Sequence, residues 1–302
     1  MHLKLTSILA TASSLLLICS CKDDSPVDSS SVVAEVPQEL FDVSHVLSSD
    51  EVLVPAGSMT STKETRSIIN ASINIEVRDQ KMSGITTRVF ERAYVSDYLS
   101  SENIRTEFKK DIVTSRATIG GRPAPQPDQT APLHQQTIIF TKSGNQWVGV
   151  LDGPKANPGQ LERIEELARL VANYNNRVIL GSVPRKVGEA WEIKAVKLNT
   201  FAGGLGEMDG TFKVFFRSLV MHDGYICAEI MANFDLVGSE VAGKEMRIRG
   251  RAKLLQSLDY HILLSMQMDG EITMANPIMN GTGKMRTKGR VELARDTTLV
   301  RP

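Results

Sequence analysis

Cysteine is nearly missing from this chain: there are three in 302 residues, and Cys19 and Cys21 both fall within the first 21. Cys227 stands alone in all that follows. No disulfide can therefore staple the body internally, and its stability has to come from a buried core. Aromatic residues make up only 5%, and none interleaves with a run of bases as a nucleic-acid platform requires. The opening apolar stretch, Leu5 to Ile18, is 14 residues long and broken by Thr6, Ser7, Thr11, Ser13 and Ser14. A spanning helix needs about 20 mostly apolar residues, so this stretch is no membrane span. Catalytic spacings are absent too. The body has no His-Glu-x-x-His, Gly-x-Ser-x-Gly, phosphate loop or Cys-x-x-Cys. Gly203, Gly204, Gly206 and Gly210 lie between two strand-like runs, whereas a dinucleotide fingerprint must open a helix. His134 and His261 are isolated, and His222 precedes a turn. These absences point to a non-enzymatic protein with no metal site and no cofactor.

What is present begins with an export signal. Lys4 supplies a positive start, the apolar stretch follows, and Ile18-Cys19-Ser20-Cys21 closes it with a small residue before a cysteine. This resembles the lipobox of bacterial lipoproteins. The resemblance implies that residues 1–20 are a signal peptide and that Cys21 becomes the mature N-terminus, carrying a diacylglyceryl thioether. It also implies a cell-envelope location and a membrane partner reached through the lipid. Lys22 after the cysteine, rather than Asp, favours an outer membrane where the host has one. Each buried methylene contributes about 0.8 kcal/mol, so two or three acyl chains anchor stably where one is marginal.

The chain is formally neutral, but the average hides an asymmetry. From Lys22 to Thr62 there are eight acids against one base, −7, whereas residues 63–302 hold 33 bases and 27 acids, +6. An acidic, Ser-rich segment with few aromatics buries too little apolar surface to offset its ordering entropy. Residues 21–62 therefore read as a flexible acidic tether, with Val32-Val33 and Val52-Leu53-Val54 as patches able to dock on the body.

From Lys63 onward, alternation with period two and turn dipeptides predict antiparallel strands joined by hairpins. Ala71, Ile73, Ile75 and Val77 alternate with mostly polar neighbours, and Tyr260, Ile262, Leu264, Met266 and Met268 do the same. Asp209-Gly210, Asp223-Gly224, Asp269-Gly270 and Asn280-Gly281 read as tight turns. Residues 117–134, with four prolines and two adjacent glycines, read as a long surface loop. One helix interrupts the pattern. Asn157 can cap it, Pro158 fits its first position, Gln160 completes a capping box, and Leu161, Ile164, Leu167, Ala168 and Val171 recur at helical spacing. The expected fold class is α+β but β-dominated. Long antiparallel strands form a curved sheet or sheets, with one main covering helix at about 158–173. The β-rich body, 63–302, has halves at about 63–155 and 177–302 around that helix.

Two surfaces are candidates for binding. Met246 to Leu254 and Met285 to Leu293 echo one another, and each puts Met, Gly and Leu on one face and bases on the other. Arg247, Arg249 and Arg251, with Lys253, and Arg286, Lys288 and Arg290 could then hold an anionic partner, or form a solvated outer face. Nine of the twelve methionines lie at or after Met208. Leu264, Met266, Met268, Met274 and Met285 could line a site for a flexible apolar ligand, or simply fill the core. Val183 to Trp191, with its Val-Gly-x-x-Trp run, resembles a segment of uncharacterised exported β-rich bacterial proteins. That resemblance implies a curved sheet with helical cover, as in the lipoprotein-carrier class, and no particular activity.

The expected function is a lipid-anchored, non-enzymatic envelope module that binds or supports an envelope protein, glycan or lipid. The alternative is a carrier or sensor of a lipid-like ligand. Cys21→Ala should leave an unlipidated precursor, seen as an uncut, unacylated mass. Normal acylation of that variant would place the anchor elsewhere.

Overall fold

The computed structural model describes residues 35–48, 53, 59–77, 80–124, 127–144, 146–171, 177–198, 207–239, 245–278 and 283–300. Alternation in the sequence becomes alternation in burial. In β1 (Met59–Val77), Ile69, Ala71, Ile73 and Ile75 are buried, while Asn70, Ser72 and Asn74 are exposed. The strands that follow are β2 (Gln80–Ser100), β3 (Asn103–Ile119), two-residue β4 (Arg122–Pro123) and β5 (Gln129–Thr130), β6 (Thr137–Ser143) and β7 (Gln146–Leu151). Helices α1 (Pro158–Val171) and α2 (Arg177–Leu180) come next. The chain ends with β8 (Ala190–Lys194), β9 (Glu207–His222), β10 (Tyr225–Ser239), β11 (Glu245–Ser257), β12 (Leu263–Ile278) and β13 (Gly283–Val300).

All thirteen strands belong to one antiparallel sheet, in the order β7-β6-β3-β2-β1-β13-β12-β11-β10-β9-β8, with β4 and β5 also on β3. The architecture is β-dominated, and α1 is the one helix of more than a turn or so among the described residues. Both expected halves contribute to this sheet, because β1 pairs with β13 from Thr60↔Val300 to Val77↔Gly283. The free edges are the short strands β7 and β8. Short edges offer little template for unwanted pairing.

The core lies on one face, here called inner. Its main cluster includes Ile69, Val214, Phe216, Ile230, Ile248, Leu254, Ile272 and Leu293. A second gathers Met59, Tyr98, Ile104, Phe108, Ile138 and Phe140 with Ile164 and Ala168 of α1, Tyr225, Cys227 and Leu264. Within the acidic segment, residues 35–48 lie against the main cluster through Val36, Leu40, Phe41 and fully buried Leu47. His45 bridges Arg185 there. Val32-Val33 and most of Val52-Val54 lie outside the described residues.

Local signals decided several elements. Asn157 and Gln160 form the reciprocal capping box, each backbone N–H donating to the other's side-chain oxygen at 2.9 Å. Helix α1 then seats on β7 because Gly149 has no side chain; a Cβ there would stand 2.6 Å from Ile164 Cγ2. Asp223-Gly224 joins β9 to β10, both residues with positive φ, as a two-residue hairpin requires.

Other turn assignments are corrected. Asp209-Gly210 lies within β9 and Asp269-Gly270 within β12, because these glycines permit close backbone approach instead of chain reversal. Asn280-Gly281 lies outside the described residues. Residues 117–134 are only partly loop. β3 runs to Ile119, β4 and β5 pair back onto it, and Leu133 is fully buried. Strand β8 stops at Lys194 and the chain continues as a 3-10 turn, Ala195–Leu198.

At Gly289 an added Cβ would stand 2.4 Å from Asn70 O and 2.5 Å from Ala71 Cβ, across the β1–β13 seam. The atoms it meets cannot swing aside without moving strand β1. Gly289→Ala should therefore cost about 1–3 kcal/mol in urea unfolding, and an unchanged midpoint would show that the seam yields freely.

Candidate binding site

The inner face of β1 reads Met59, Ser61, Lys63, Thr65, Ser67, Ile69, and its outer neighbours Thr60, Thr62, Glu64 and Arg66 are polar as well. Between Ser61 and Ser67 β1 has no apolar face, yet it lies in the middle of the sheet. Registers carry the polar character to its neighbours. Asp111 of β3, Arg92 of β2, Thr65 of β1 and Arg295 of β13 stand opposite one another in sequence across four strands. Phe108, Tyr94, Lys63 and Thr297 form the adjacent row.

Over these rows lies a cavity of about 310 Å3. Thr65, Ser67, Phe90, Glu91, Arg92, Asp111 and Val113 line it from the strands, residues 129–132 flank it, and Arg163 and Glu166 border it from α1, so two bases and three acids surround it. Arg92 Nη2 donates to Asp111 Oδ1 at 3.0 Å, with the Asp111 side chain only 4% exposed. Arg163 pairs with Glu166 on its own helix. The backbone holds Asp111 in place: its N–H donates to His134 Nδ1 at 3.1 Å and its carbonyl accepts from Ala131 N at 2.9 Å.

Burial pulls the Arg163 guanidinium below its ordinary pKa, and repulsion from Arg92 adds to this, against the opposing pull of Glu166. Burial alone lowers Arg88, which lies on the same face of β2. For Tyr94, burial acts to raise the phenol, but Lys63, Arg295 and Arg92 outweigh it and the net shift is downward. The Lys63 ammonium lies 5.3 Å from the Tyr94 ring centroid. Three cations thus act on the Tyr94 phenol. Arg92 Nε, Arg163 Nη2 and Asp111 Oδ2 are buried without a hydrogen-bond partner. Such groups are costly unless something satisfies them.

The residues singled out in the sequence lie elsewhere. Arg247, Arg249, Arg251, Arg286, Lys288 and Arg290 are on the outer face, as the alternation predicts. Acids meet several of them. Arg247 donates twice to Asp235, at 2.7 and 2.6 Å, Arg249 reaches Glu271 at 2.7 Å, and Arg290 reaches Asp269. These bonds hold Asp235 and Glu271 below the usual carboxylate range. Arg286 lines a separate open depression with Asn74, Glu76, Lys81 and Lys284.

Leu264, Met266, Met268, Met274 and Met285 do face inward but divide among the clusters. Leu264 sits with Cys227, Met266 in the main cluster with Met268 and Met274 against it, and Met285 with Ile73 and Ile75. None of them lines either cavity. Cys227 is fully buried, and burial pushes its thiol up to about 12, with Asp259 and Asp223 adding to the effect. A thiol so protonated is a poor nucleophile. Trp191 donates its indole N–H to Ile179 O at 3.0 Å, under the Arg185 guanidinium. Among the described residues no group of three His, Cys, Asp or Glu is placed to hold a metal ion, and no helix is long and apolar enough to cross a membrane. Cys21 lies outside the described residues.

No family model matches the chain, and no curated protein matches it. Solved structures do. Lipovitellin, studied for its lipid–protein interactions, is 9% identical with a TM-score of 0.40; the match covers 80% of this chain and 25% of lipovitellin. This chain thus spans about a quarter of that protein's length. A DUF1329-family protein from Desulfovibrio piger is 9% identical, with a TM-score of 0.14 over 78% of this chain and 84% of its own. A β-barrel-like protein of the domain of unknown function DUF1849, from Brucella abortus, is 13% identical, with a TM-score of 0.18 over 76% and 97%.

Removing one partner of a buried ion pair costs about 3–5 kcal/mol, because the other charge is stranded. The Arg92 side chain keeps 22% exposure, so Arg92→Ala should fall near the lower bound, about 3 kcal/mol by urea unfolding. Arg92→Met with Asp111→Leu should recover most of that loss. A loss below about 1 kcal/mol for the single variant would mean that solvent screens the pair.

Proposed function

We propose that this protein is a non-enzymatic binding module of the bacterial cell envelope. In this reading Cys21 carries its lipid anchor, and the ligand lies on the inner face of a curved sheet, with α1 as its cover. The observation that carries the reading is the polar, charged stretch of β1–β3 beneath α1. Sheet interiors are ordinarily apolar, and a chain keeps a locally unfavourable arrangement chiefly where function requires it. The stretch also opens on a cavity, at the low end of the 300–1,000 Å3 or so usual for small-molecule sites.

A second reading, a carrier or sensor of a lipid-like ligand, draws support from Phe90 and Val113. They border the same cavity and would receive the apolar part of an amphipathic molecule. The cross-strand pairing of Arg247, Arg249 and Arg290 with acids weighs against the outer basic stripe as the main binding surface.

Native mass spectrometry of the full chain, extracted from membranes in a non-ionic detergent, tests the module. The expected result is a fraction of the protein carrying a small molecule that dissociates on activation. A chain found only at its own acylated mass, and unable to take up any offered lipid or polar metabolite, would reduce the body to a structural element.

A further inference from the structure

We propose that the outer face of the sheet around Lys81, Lys284 and Arg286 lies against the anionic lipid headgroups of the membrane that holds the anchor. This rests on the lipid-anchored reading and goes beyond it, because it gives the body an orientation. Three observations lead to it.

The first is the division of charge along β1, β2 and β13. From the end at Val77, Gln80 and Gly283 as far as Arg290, their outer faces carry Lys81, Lys284, Arg286, Lys288 and Arg290 against Glu76. Five bases and one acid give +4. Beyond that level the same outer faces carry Glu64, Glu91, Asp97, Glu292 and Asp296 against Arg66, which gives −4. Charge is thus polarised along the strands, and one end alone suits an anionic surface.

The second is availability. Arg247, Arg249 and Arg290 are held by carboxylates on neighbouring strands. Opposite Lys284, Arg286 and Lys288 on β12 stand Pro277, Ala275 and Thr273, which offer none. On the other side, Glu76 faces both Lys81 and Lys284 and pairs with Lys81 at 3.8 Å. Glu271 acts on Lys288 but is already held by Arg249, and Glu245 stands two strands from Arg286. Among the described residues, Lys284 and Arg286 make no ion pair.

The third is shape and apolar content. The depression among Asn74, Glu76, Lys81, Ser83, Lys284 and Arg286 has a volume of about 340 Å3, and three bases line it against one acid. Met82, also in the lining, is 45% exposed. Ile85 follows Ser83 on the same face of β2 and is 66% exposed, the most of any large apolar side chain among the described residues. Bases beside exposed apolar groups suit the boundary between headgroups and acyl chains, whereas an acidic glycan would leave Ile85 in water. The tether favours a bilayer over a soluble acidic partner. Glu35 lies 14 residues after Cys21, a reach of at most about 50 Å, so the membrane is present at high effective concentration and a weak contact suffices.

The test uses the full chain, extracted in non-ionic detergent and reconstituted into vesicles of phosphatidylcholine alone or of phosphatidylcholine and phosphatidylglycerol in equal parts. Cys227 is fully buried, so Ser83→Cys beside the depression and Thr298→Cys at the acidic end each supply one reporter thiol for a fluorescent label. Quenching by aqueous acrylamide at position 83 should fall at least fivefold on the anionic vesicles and recover in high salt, while position 298 stays open on both. Each base at an anionic leaflet contributes a factor of about five, so Lys284→Gln with Arg286→Gln should lower the docked-to-undocked ratio about twentyfold at an unchanged melting temperature. Equal quenching at position 83 on the two vesicles, or protection that survives both the double substitution and high salt, overturns the docking surface and leaves the anchor standing. Protection on vesicles of the host's own envelope but not on the anionic lipid vesicles assigns the patch to an acidic protein or glycan and overturns the lipid assignment. A chain without acyl mass that washes off neutral vesicles overturns the lipid-anchored reading, and this proposal with it.

Discussion

Pairing of β1 with β13 is the constraint on which the rest of the molecule depends. It joins residue 60 to residue 300 and residue 77 to residue 283, so the loop it closes is nearly the whole body. Without it, the chain would consist of one meander around β1–β3 and another running from β8 to β13, each with a long exposed edge. With it, the edges retreat to β7 and β8. Closing so long a loop costs entropy that grows only slowly with length, and the length of the seam supplies many backbone hydrogen bonds in return. The same seam fixes which inner residues face one another. Arg295 lies opposite Thr65, and through Thr65 in line with Arg92 and Asp111, only in this register. A slip of one residue would turn every one of these side chains to the other face.

The two charged regions of the sheet are built differently. On the outer face, Arg247, Arg249 and Arg290 each lie across from a carboxylate on a neighbouring strand. Those pairs stand in solvent, are screened by salt, and organise the surface more than they stabilise it. On the inner face, Arg92, Arg163 and Asp111 are largely removed from water, so each charge acts at longer range and each missing partner matters more. Proximity in sequence to other bases made the outer stripe conspicuous. It is the inner set, scattered over β2, β3 and α1, that meets around a cavity.

That contrast also explains what could be read from the sequence. Period-two alternation was enough for the strands, since burial on one face enforces it, as at Ile69 to Ile75. The capping box at Asn157 and Gln160 was enough for α1, because its hydrogen bonds are local. Asp223-Gly224 was legible for the same reason. Asp269-Gly270 misled because glycine serves close strand approach as well as turns, and the atoms that force the approach at Gly270 belong to Arg249. The site was not legible. Arg88 and Arg92 sit at the same parity as Thr86, Phe90, Tyr94 and Tyr98, and that was the available signal: bases placed in phase with the inward side chains of a long strand. Arg92's partner Asp111 lies beyond the Phe108–Lys110 irregularity of β3, where the register against β2 shifts, and the alternation that would mark it as inward is broken there.

The shift has a consequence for how the interior is divided. Main-cluster residues begin on β1 at Ile69, and the second cluster ends on β1 at Met59; between them lie Ser61, Lys63, Thr65 and Ser67. Strands β9 to β12 run with apolar inner faces through the corresponding levels, so the polar belt is confined to the β3-β2-β1-β13 side of the sheet. A belt of this kind gives up hydrophobic burial over several positions, and nothing in the pairing of the strands requires it, since backbone hydrogen bonds are indifferent to side chain. Helix α1 crosses at this level, with Ile164 and Ala168 in the second cluster and Arg163 and Glu166 at the cavity. Its apolar residues fix its position on the sheet, and its charged residues are thereby presented to the belt. One helix, seated by Gly149 and capped by Asn157, thus joins a stability-bearing contact to a charged surface, and the placement of the second follows from the first.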